Sequence, residues 1–268
     1  MKTYNKVLII AGTDSGGGAG VPADIKTVSA CGCYAACAVT AVTVQNTLGV
    51  SAVHDVPAEI ISGQISAVLD DIGADAVKIG MLSKAETVLT VASSLKPYNV
   101  KNVVLDPVMV STSGHKLLRD DAVNALKTGL MPLARLITPN IPEAEVLLGK
   151  KIVSQDETED CARELSKIAG NSVLLKAGHF DADVLYDVLY NAETHEITRF
   201  ECHRVNTQNT HGTGCTLSSA VAAFLSKGEG IEEAVSNAEK YLQNAIREGA
   251  DYRIGGGHGP VKHFWNFW

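Results

Sequence analysis

The sequence predicts an α/β fold of three α/β/α layers, a mostly parallel central sheet with helices on both faces and a small antiparallel addition. Three observations carry this expectation. Short apolar runs rich in β-branched residues recur along the 268 residues, helical patterns alternate with them, and after Gly178 the rhythm changes to two adjoining strand-like runs. Buried strands alternating with helices imply a parallel sheet covered on both faces. At 46% hydrophobic residues the chain can bury a full core as one domain spanning 1–268.

The apolar run at 7–11 opens the sheet and gives way to a glycine loop. Strands are then predicted at 38–44, 76–79, 103–105, 136–137 and 173–175, each followed by Gly, Pro, Asn or a lone polar residue. Between them, helical periodicity covers 22–30, 58–71, 84–95, 120–130, 141–148 and 158–169. Residues 184–190 and 196–204 read as two antiparallel strands joined by a turn at 191–195. Long helices follow at 215–226 and 231–248.

Composition excludes several functions. A net charge of −7 without a basic block argues against a nucleic-acid surface, which needs clustered Lys and Arg. No apolar stretch approaches the roughly 20 residues that cross a bilayer, and VLII after Lys2 and Lys6 is too short for a signal core. The six cysteines suit reduced thiols, so the expected location is the cytoplasm. Cys31, Cys33 and Cys37 lack the second paired set that a closed zinc site would need.

In an open parallel sheet, ligands bind outside the carboxyl ends of the strands, which directs attention to the residues after each apolar run. Gly12-Thr13-Asp14-Ser15-Gly16-Gly17-Gly18-Ala19-Gly20 follows the first strand and permits close backbone approach to a small ligand. It lacks the Gly-Lys-Ser/Thr of a Walker A loop. Asn209-Thr210-His211-Gly212-Thr213-Gly214-Cys215-Thr216 leads into an apolar helix. There converging N–H groups and the helix dipole form an anion hole, and the same groups are expected to favour a thiolate at Cys215. Asp106 and Glu143 fall at strand ends and could serve Mg2+, although Asp before Pro is a common turn and Glu143 could equally serve its helix N-terminus. Lys176, ending the run VLL, could reach phosphates or snorkel to solvent.

The segments AGTDSGGGAGVPADIKT, TAVTVQNTLGV, KIGM, VLDPVMVSTSG, ITPNIPEAEVLLG, VLLKAGH and NTHGTGCTLSSA, in this order and spacing, resemble the hydroxymethylpyrimidine/phosphomethylpyrimidine kinase family over essentially the whole chain. The resemblance implies a ribokinase-like fold. It also implies an enzyme that uses ATP and Mg2+ to phosphorylate 4-amino-5-hydroxymethyl-2-methylpyrimidine and then its monophosphate, for thiamine biosynthesis. Carried onto this sequence, it places the pyrimidine among Gly12, Asp24, Gln45, Met81, Val108 and Cys215. It gives Asp106 and Glu143 to magnesium, Lys176 to the phosphates and Gly212, Thr213, Gly214 and Cys215 to the anion hole. The amide of Gln45 offers the donor and acceptor that an aminopyrimidine edge needs. Expected partners are the small-molecule pyrimidine and ATP, with no nucleic acid or membrane, and the expected assembly is a homodimer. A pyridoxal kinase of the same fold is the rival activity. Typical pyridoxal kinases resemble ribokinase in placing an aspartate where this chain has Cys215. A non-catalytic pyrimidine sensor is a second alternative. Ser15-Gly16, Ala177 and Lys262 depart from the commoner family text of Pro-Ser, Gly and Asn.

Overall fold

A computed structural model of the chain describes residues 2–109, 117–178, 180 and 184–268. Positions 110–114 of VLDPVMVSTSG and His179 of VLLKAGH lie outside the described residues. Ten strands are described: β1 (Lys6–Ala11), β2 (Tyr34–Val39), β3 (Ala41–Asn46), β4 (Gly49–Asp55), β5 (Ala76–Ile79), β6 (Val103–Leu105), β7 (Leu136–Ile137), β8 (Ser172–Leu175), β9 (Val184–Asn191) and β10 (Glu196–His203). Eight form one sheet in the order β10-β9-β8-β7-β6-β5-β1-β2. From β2 to β8 neighbouring strands run parallel; β9 and β10 add the antiparallel edge expected from residues 184–204.

Because side chains alternate along a strand, each run feeds two cores. Leu8, Ile10, Val77, Ile79, Val103 and Leu105 pack toward α2 (Ala58–Asp71), α3 (Ala85–Leu95), α4 (Asp120–Ala125), α5 (Ile141–Leu148) and α6 (Thr158–Ala169). Val7, Ile9, Ala76 and Val104 face α1 (Gly20–Ala30), α7 (Thr213–Ser226) and α8 (Ile231–Gly249). These are the three layers that the alternation predicts. Among the described residues no helix is long and apolar enough to cross a membrane.

The predicted strand over 38–44 is a correction. The chain turns out of the main sheet at Thr40, whose N–H donates to Ala11 O (3.0 Å) and whose hydroxyl donates to Met81 O (2.9 Å). Gln64 of α2 occupies both backbone groups of Val39 (2.9 and 3.1 Å). Beyond Thr40, β3 pairs with β4 as a separate antiparallel hairpin, and β4 has no counterpart among the predicted elements. β-propensity is equally high on both sides of Thr40, so long-range hydrogen bonds, not local preference, set the break. Likewise the helix expected over 120–130 is α4 followed by a π-helical turn at Leu126–Leu130.

One charged residue interrupts the apolar sheet. Lys78, in register with Ala76 on the face toward α1 and α7, is fully buried, and its Nζ meets both oxygens of Asp24 at 2.8 Å. Ser219 of α7 donates to Asp24 Oδ1 at 2.7 Å, so the cluster joins β5, α1 and α7. Burial disfavours both charges and raises the Asp24 carboxyl, but the charge of Asp24, with Asp106 adding to it, holds the Lys78 pKa above its ordinary value, and Nζ held 2.8 Å from both Asp24 oxygens is the geometry of an ion pair. Removing one partner of a buried pair strands the other charge. Lys78→Met should therefore cost about 3–5 kcal/mol in urea unfolding, and combining it with Asp24→Leu should recover most of that loss. A single-variant cost below about 1 kcal/mol would contradict a charged pair.

Candidate active site

Five strand ends and the start of α7 converge on one side of the molecule. Gly12 follows β1, Met81 lies just past β5, and Asp106, Thr138 and Lys176 directly follow β6, β7 and β8. Gly12 meets Met81 so closely that a Cβ there would stand 3.1 Å from Met81 Sδ. Gln45 comes from β3, beside a register shift at Val44/Gln45 that re-aims it. Its Oε1 accepts from the Thr43 hydroxyl (3.2 Å), and its Nε2 lies 3.4 Å from His211 Nε2. Ser15, one of the departures from the family text, accepts from Gln45 N (2.9 Å) and donates to Gln45 O (2.6 Å), stitching the first loop to the hairpin.

Asp14 closes the two glycine loops onto each other. Its carboxylate accepts N–H groups from Gly16 (2.7 Å), Gly18 (3.1 Å) and Ala19 (2.9 Å), and Oδ2 lies 2.8 Å from His211 Nε2. Burial raises its pKa, but the His211 contact and these N–H groups outweigh that and hold it below the usual range. The loops touch so tightly that glycine is required at Gly212: φ is +80°, and a Cβ would overlap Gly18 O.

Past Gly212 the chain enters α7 at once, two residues before the predicted start at Cys215. Thr213 N–H bonds to Thr210 O, and the helical ladder begins with Thr216 N–H to Gly212 O (2.9 Å). The N–H groups of Gly214 and Cys215 are therefore first-turn donors without an intrahelical acceptor. Gly214 keeps this opening clear, since a Cβ on it would stand 3.3 Å from Lys176 Nζ.

Lys176 Nζ pairs with Asp106 Oδ1 at 3.0 Å; Thr138 (3.2 Å) and Ser218 (3.4 Å) donate to the two Asp106 oxygens. Burial opposes ionisation of Asp106, but Lys176 and Lys78 together hold its pKa below the ordinary value. Glu143 serves its helix N-terminus as one sequence alternative allowed. Oε2 accepts Asn140 N–H (2.9 Å) while Asn140 Oδ1 accepts Glu143 N–H (2.9 Å), a reciprocal capping box. Burial, with Asp106 nearby, pushes the Glu143 carboxyl up to about 7 despite Lys176. A buried carboxyl whose pKa is raised for want of positive charge fits a cation beside Asp106, and magnesium characteristically takes one or two carboxylates plus phosphates. Val108 stands half-buried next to this group, its N–H turned back to Asp106 O (2.8 Å).

Two expectations change. Asp24 cannot line the pocket surface in this conformation, because it is fully buried and both oxygens are taken by Lys78. The Cys215 thiol is pushed up to about 11 by burial. Lys78 and the Gly20 N–H favour the thiolate, but the nearby carboxylates of Asp24 and Asp106 oppose it, so the helix-end argument does not decide its charge. Lys78, Asp14 and His211 carry structure that the sequence reading gave no role. A lone lysine inside the apolar strand AVKI was the available signal, since a buried charge demands a partner.

A family model described as phosphomethylpyrimidine kinase matches residues 14–262. The chain belongs to the phosphomethylpyrimidine kinase family. A hydroxymethylpyrimidine/phosphomethylpyrimidine kinase of Rhizobium meliloti is 48% identical over 97% of both chains. The crystal structure of phosphomethylpyrimidine kinase from Clostridium difficile, 44% identical, superposes with a TM-score of 0.80 over 90% of this chain and 99% of its own. A Bacillus subtilis pyridoxal kinase in complex with ADP is 34% identical and superposes at 0.89 over 97% of this chain and 98% of its own. The family's ribokinase-like architecture agrees with the sheet order and the position of the site.

Glu143→Gln keeps the capping box and removes the buried charge. A carboxyl raised from 4.5 to about 7 on folding makes stability fall as pH rises between those values, because the folded state then binds more protons. In metal-free buffer the variant should lose that slope and be more stable than the parent at pH 8, by on the order of 1–3 kcal/mol. Parallel melting profiles from pH 4.5 to 8 would count against the burial of this charge.

Proposed function

We propose that the protein transfers the γ-phosphoryl group of ATP to the hydroxymethyl oxygen of 4-amino-5-hydroxymethyl-2-methylpyrimidine, and then to the resulting monophosphate. The observation that carries this reading is the convergence of the open N–H groups of Gly214 and Cys215 with Lys176 beside Asp106. Donors fixed around a transferring phosphoryl group stabilise its charge without reorganisation. In the first step the alcohol oxygen bonds to phosphorus as the bond to the ADP oxygen breaks, and the alcohol proton leaves to solvent or a base. Gln45, Met81, Val108 and Gly12 form the pyrimidine side of the site; Lys176 and the 212–215 turn form the phosphate side. Asp106 and Glu143 would hold Mg2+, which when bound neutralises phosphate charge. The names of the relatives at 44–48% identity favour the pyrimidine over pyridoxal, and Cys215 in place of aspartate supports the same choice. The intact set of Asp106, Glu143 and Lys176 supports an enzyme over a sensor.

A cytoplasmic setting is supported by six cysteines that are all unpaired. A homodimer is supported by the β3–β4 hairpin, which leaves the main sheet and exposes Val42 and Val44 on one face.

Coupled ADP release with hydroxymethylpyrimidine, its monophosphate and pyridoxal should rank the two pyrimidines first and require Mg2+. Pyridoxal turning over fastest would overturn the assignment. Gln45→Ala should weaken pyrimidine binding by about 1–3 kcal/mol with ATP affinity nearly unchanged. Because the Cys215 thiol is held neutral at pH 7, Cys215→Ser should slow the two phosphorylations to a similar degree. A selective loss in the alcohol step, growing as pH rises and the thiolate is populated, would instead identify the thiolate as that step's base.

A further inference from the structure

Beyond the kinase site, a second group of ligand-type side chains lies between the antiparallel edge and α8. Asp187 of β9, Cys202 of β10 and Glu239 of α8 each present one ligand atom, and these atoms lie within 4.8 Å of one another. Asp187 and Glu239 are 7% and 6% exposed. Cys202 is partly exposed on the outermost strand, which gives an ion access from solvent. Register explains the meeting: Asp187 opposes Phe200, so Cys202 is the next residue of β10 on the same face, and α8 covers that face.

The polar atoms of this group are incompletely satisfied. Asp187 Oδ1 accepts the Ala177 N–H at 2.7 Å, and Cys202 Sγ lies 3.9 Å from Glu239 Oε2. Glu239 Oε1 is buried with no hydrogen-bond partner. An orphaned buried carboxyl oxygen carries an uncompensated desolvation cost and calls for an explanation, either a proton shared with the adjoining Asp187 carboxyl or an unseen ion. Burial raises the pKa of all three groups, and the neighbouring carboxylates raise Cys202 and Glu239 further, whereas the Ala177 N–H, Lys176 and the Glu239 contact pull Asp187 back down. Lys176, the cation whose field reaches both carboxyls, has its ammonium engaged by Asp106 at 3.0 Å.

We propose that Asp187, Cys202 and Glu239 form a divalent-metal site separate from the Asp106/Glu143 carboxylates, selective for a thiophilic ion such as Zn2+ over Mg2+. One sulfur and two carboxylate oxygens suit zinc, whereas magnesium demands oxygen ligands and octahedral order. Zn–S and Zn–O bonds of about 2.3 and 2.0 Å place sulfur and oxygen about 3.5 Å apart across a tetrahedral ion. The 3.9 Å between Cys202 and Glu239 needs only a small closure. Three protein ligands leave the fourth position to water. On binding, the Cys202 thiol and any protonated carboxyl release their protons to buffer, and the ion takes their place. The site would clamp β9 and β10 to α8. Through the Asp187 bond to Ala177 N–H, it would also brace the peptide that follows Lys176.

The test uses the full-length protein, stripped with chelator and dialysed against Zn2+ in excess Mg2+. One equivalent of zinc should be retained, and titration with Co2+ should give a thiolate-to-metal charge-transfer band. Glu239→Gln and Cys202→Ser should each weaken Zn2+ binding by more than about 10²-fold, beyond the loss typical of outer-shell partners, and Cys202→Ser should abolish the band. Cys37→Ser, at a half-exposed thiol elsewhere in the sheet, should leave both readouts unchanged. Should either site variant fail to fold, X-ray absorption on the Zn2+-loaded parent decides the matter, with one sulfur and otherwise oxygen ligands expected. No zinc retained, zinc retained equally by folded Cys202→Ser, or a sulfur-free or multi-sulfur shell would overturn the proposal.

Discussion

A full positive charge at the centre of the sheet constrains everything at the catalytic end. Lys78 is surrounded by β-strands on a face that is otherwise apolar, and α1 and α7 must supply its compensation through Asp24 and Ser219. A buried charge is tolerated only when paired and hydrogen-bonded, so the approach of these two helices to β5 is set by ionic geometry as well as by packing. The consequence reaches the ligand surface. α7 begins six residues before Ser219, so holding Ser219 against Asp24 also fixes where Gly214 and Cys215 present their N–H groups. Gly80 is needed at the end of β5 for the same reason, since a Cβ there would meet Lys78 Nζ at 2.8 Å.

Above this pair, the two glycine-rich loops are locked by Asp14. Four donors reach one carboxylate, three of them from the backbone of its own loop, and the fourth, His211, belongs to the loop that starts α7. Such a carboxylate orders a segment that glycine would otherwise leave conformationally free. The cost of glycine entropy is offset where contact demands it. Gly18 and Gly212 stand so close that side chains at either would collide with the opposite loop. Preorganised donors of this kind act without rearrangement when charge develops.

The charges around the phosphate side are unequal by design of their surroundings. Asp106 touches Lys176, Thr138 and Ser218 and is held below the ordinary carboxyl range, whereas burial and the charge of Asp106 push Glu143, in its capping box, up to about 7. Asp106, which helps make this corner receptive to a cation, also disfavours a thiolate at Cys215, together with burial and Asp24. A site tuned to collect positive charge on one side therefore resists a second anion a short distance away.

By itself, the sequence determined the layered fold, the antiparallel edge and the position of the ligand end. Strand runs such as VLII and AVKI, short apolar stretches bounded by turn residues, and the helix periods between them are signals carried by neighbours along the chain. It also marked Asp106, Glu143, Lys176 and the 212–215 turn, because these types stand where a parallel sheet exposes its carboxyl ends, while Gln45 and Met81 were marked by the family resemblance. Tertiary structure alone decided the rest. The hydrogen bonds of Thr40 and Gln64 divide one apolar run into β2 and β3, and Lys78 claims Asp24 from any ligand. Burial among carboxylates, invisible in a list of residues, sets the Cys215 thiol. Asp187, Cys202 and Glu239 are distant in sequence and meet only through strand register and the docking of α8. Periodicity is a property of neighbours along the chain, whereas charge pairing, proton affinity and ligand clustering depend on distances in space that only the folded packing sets.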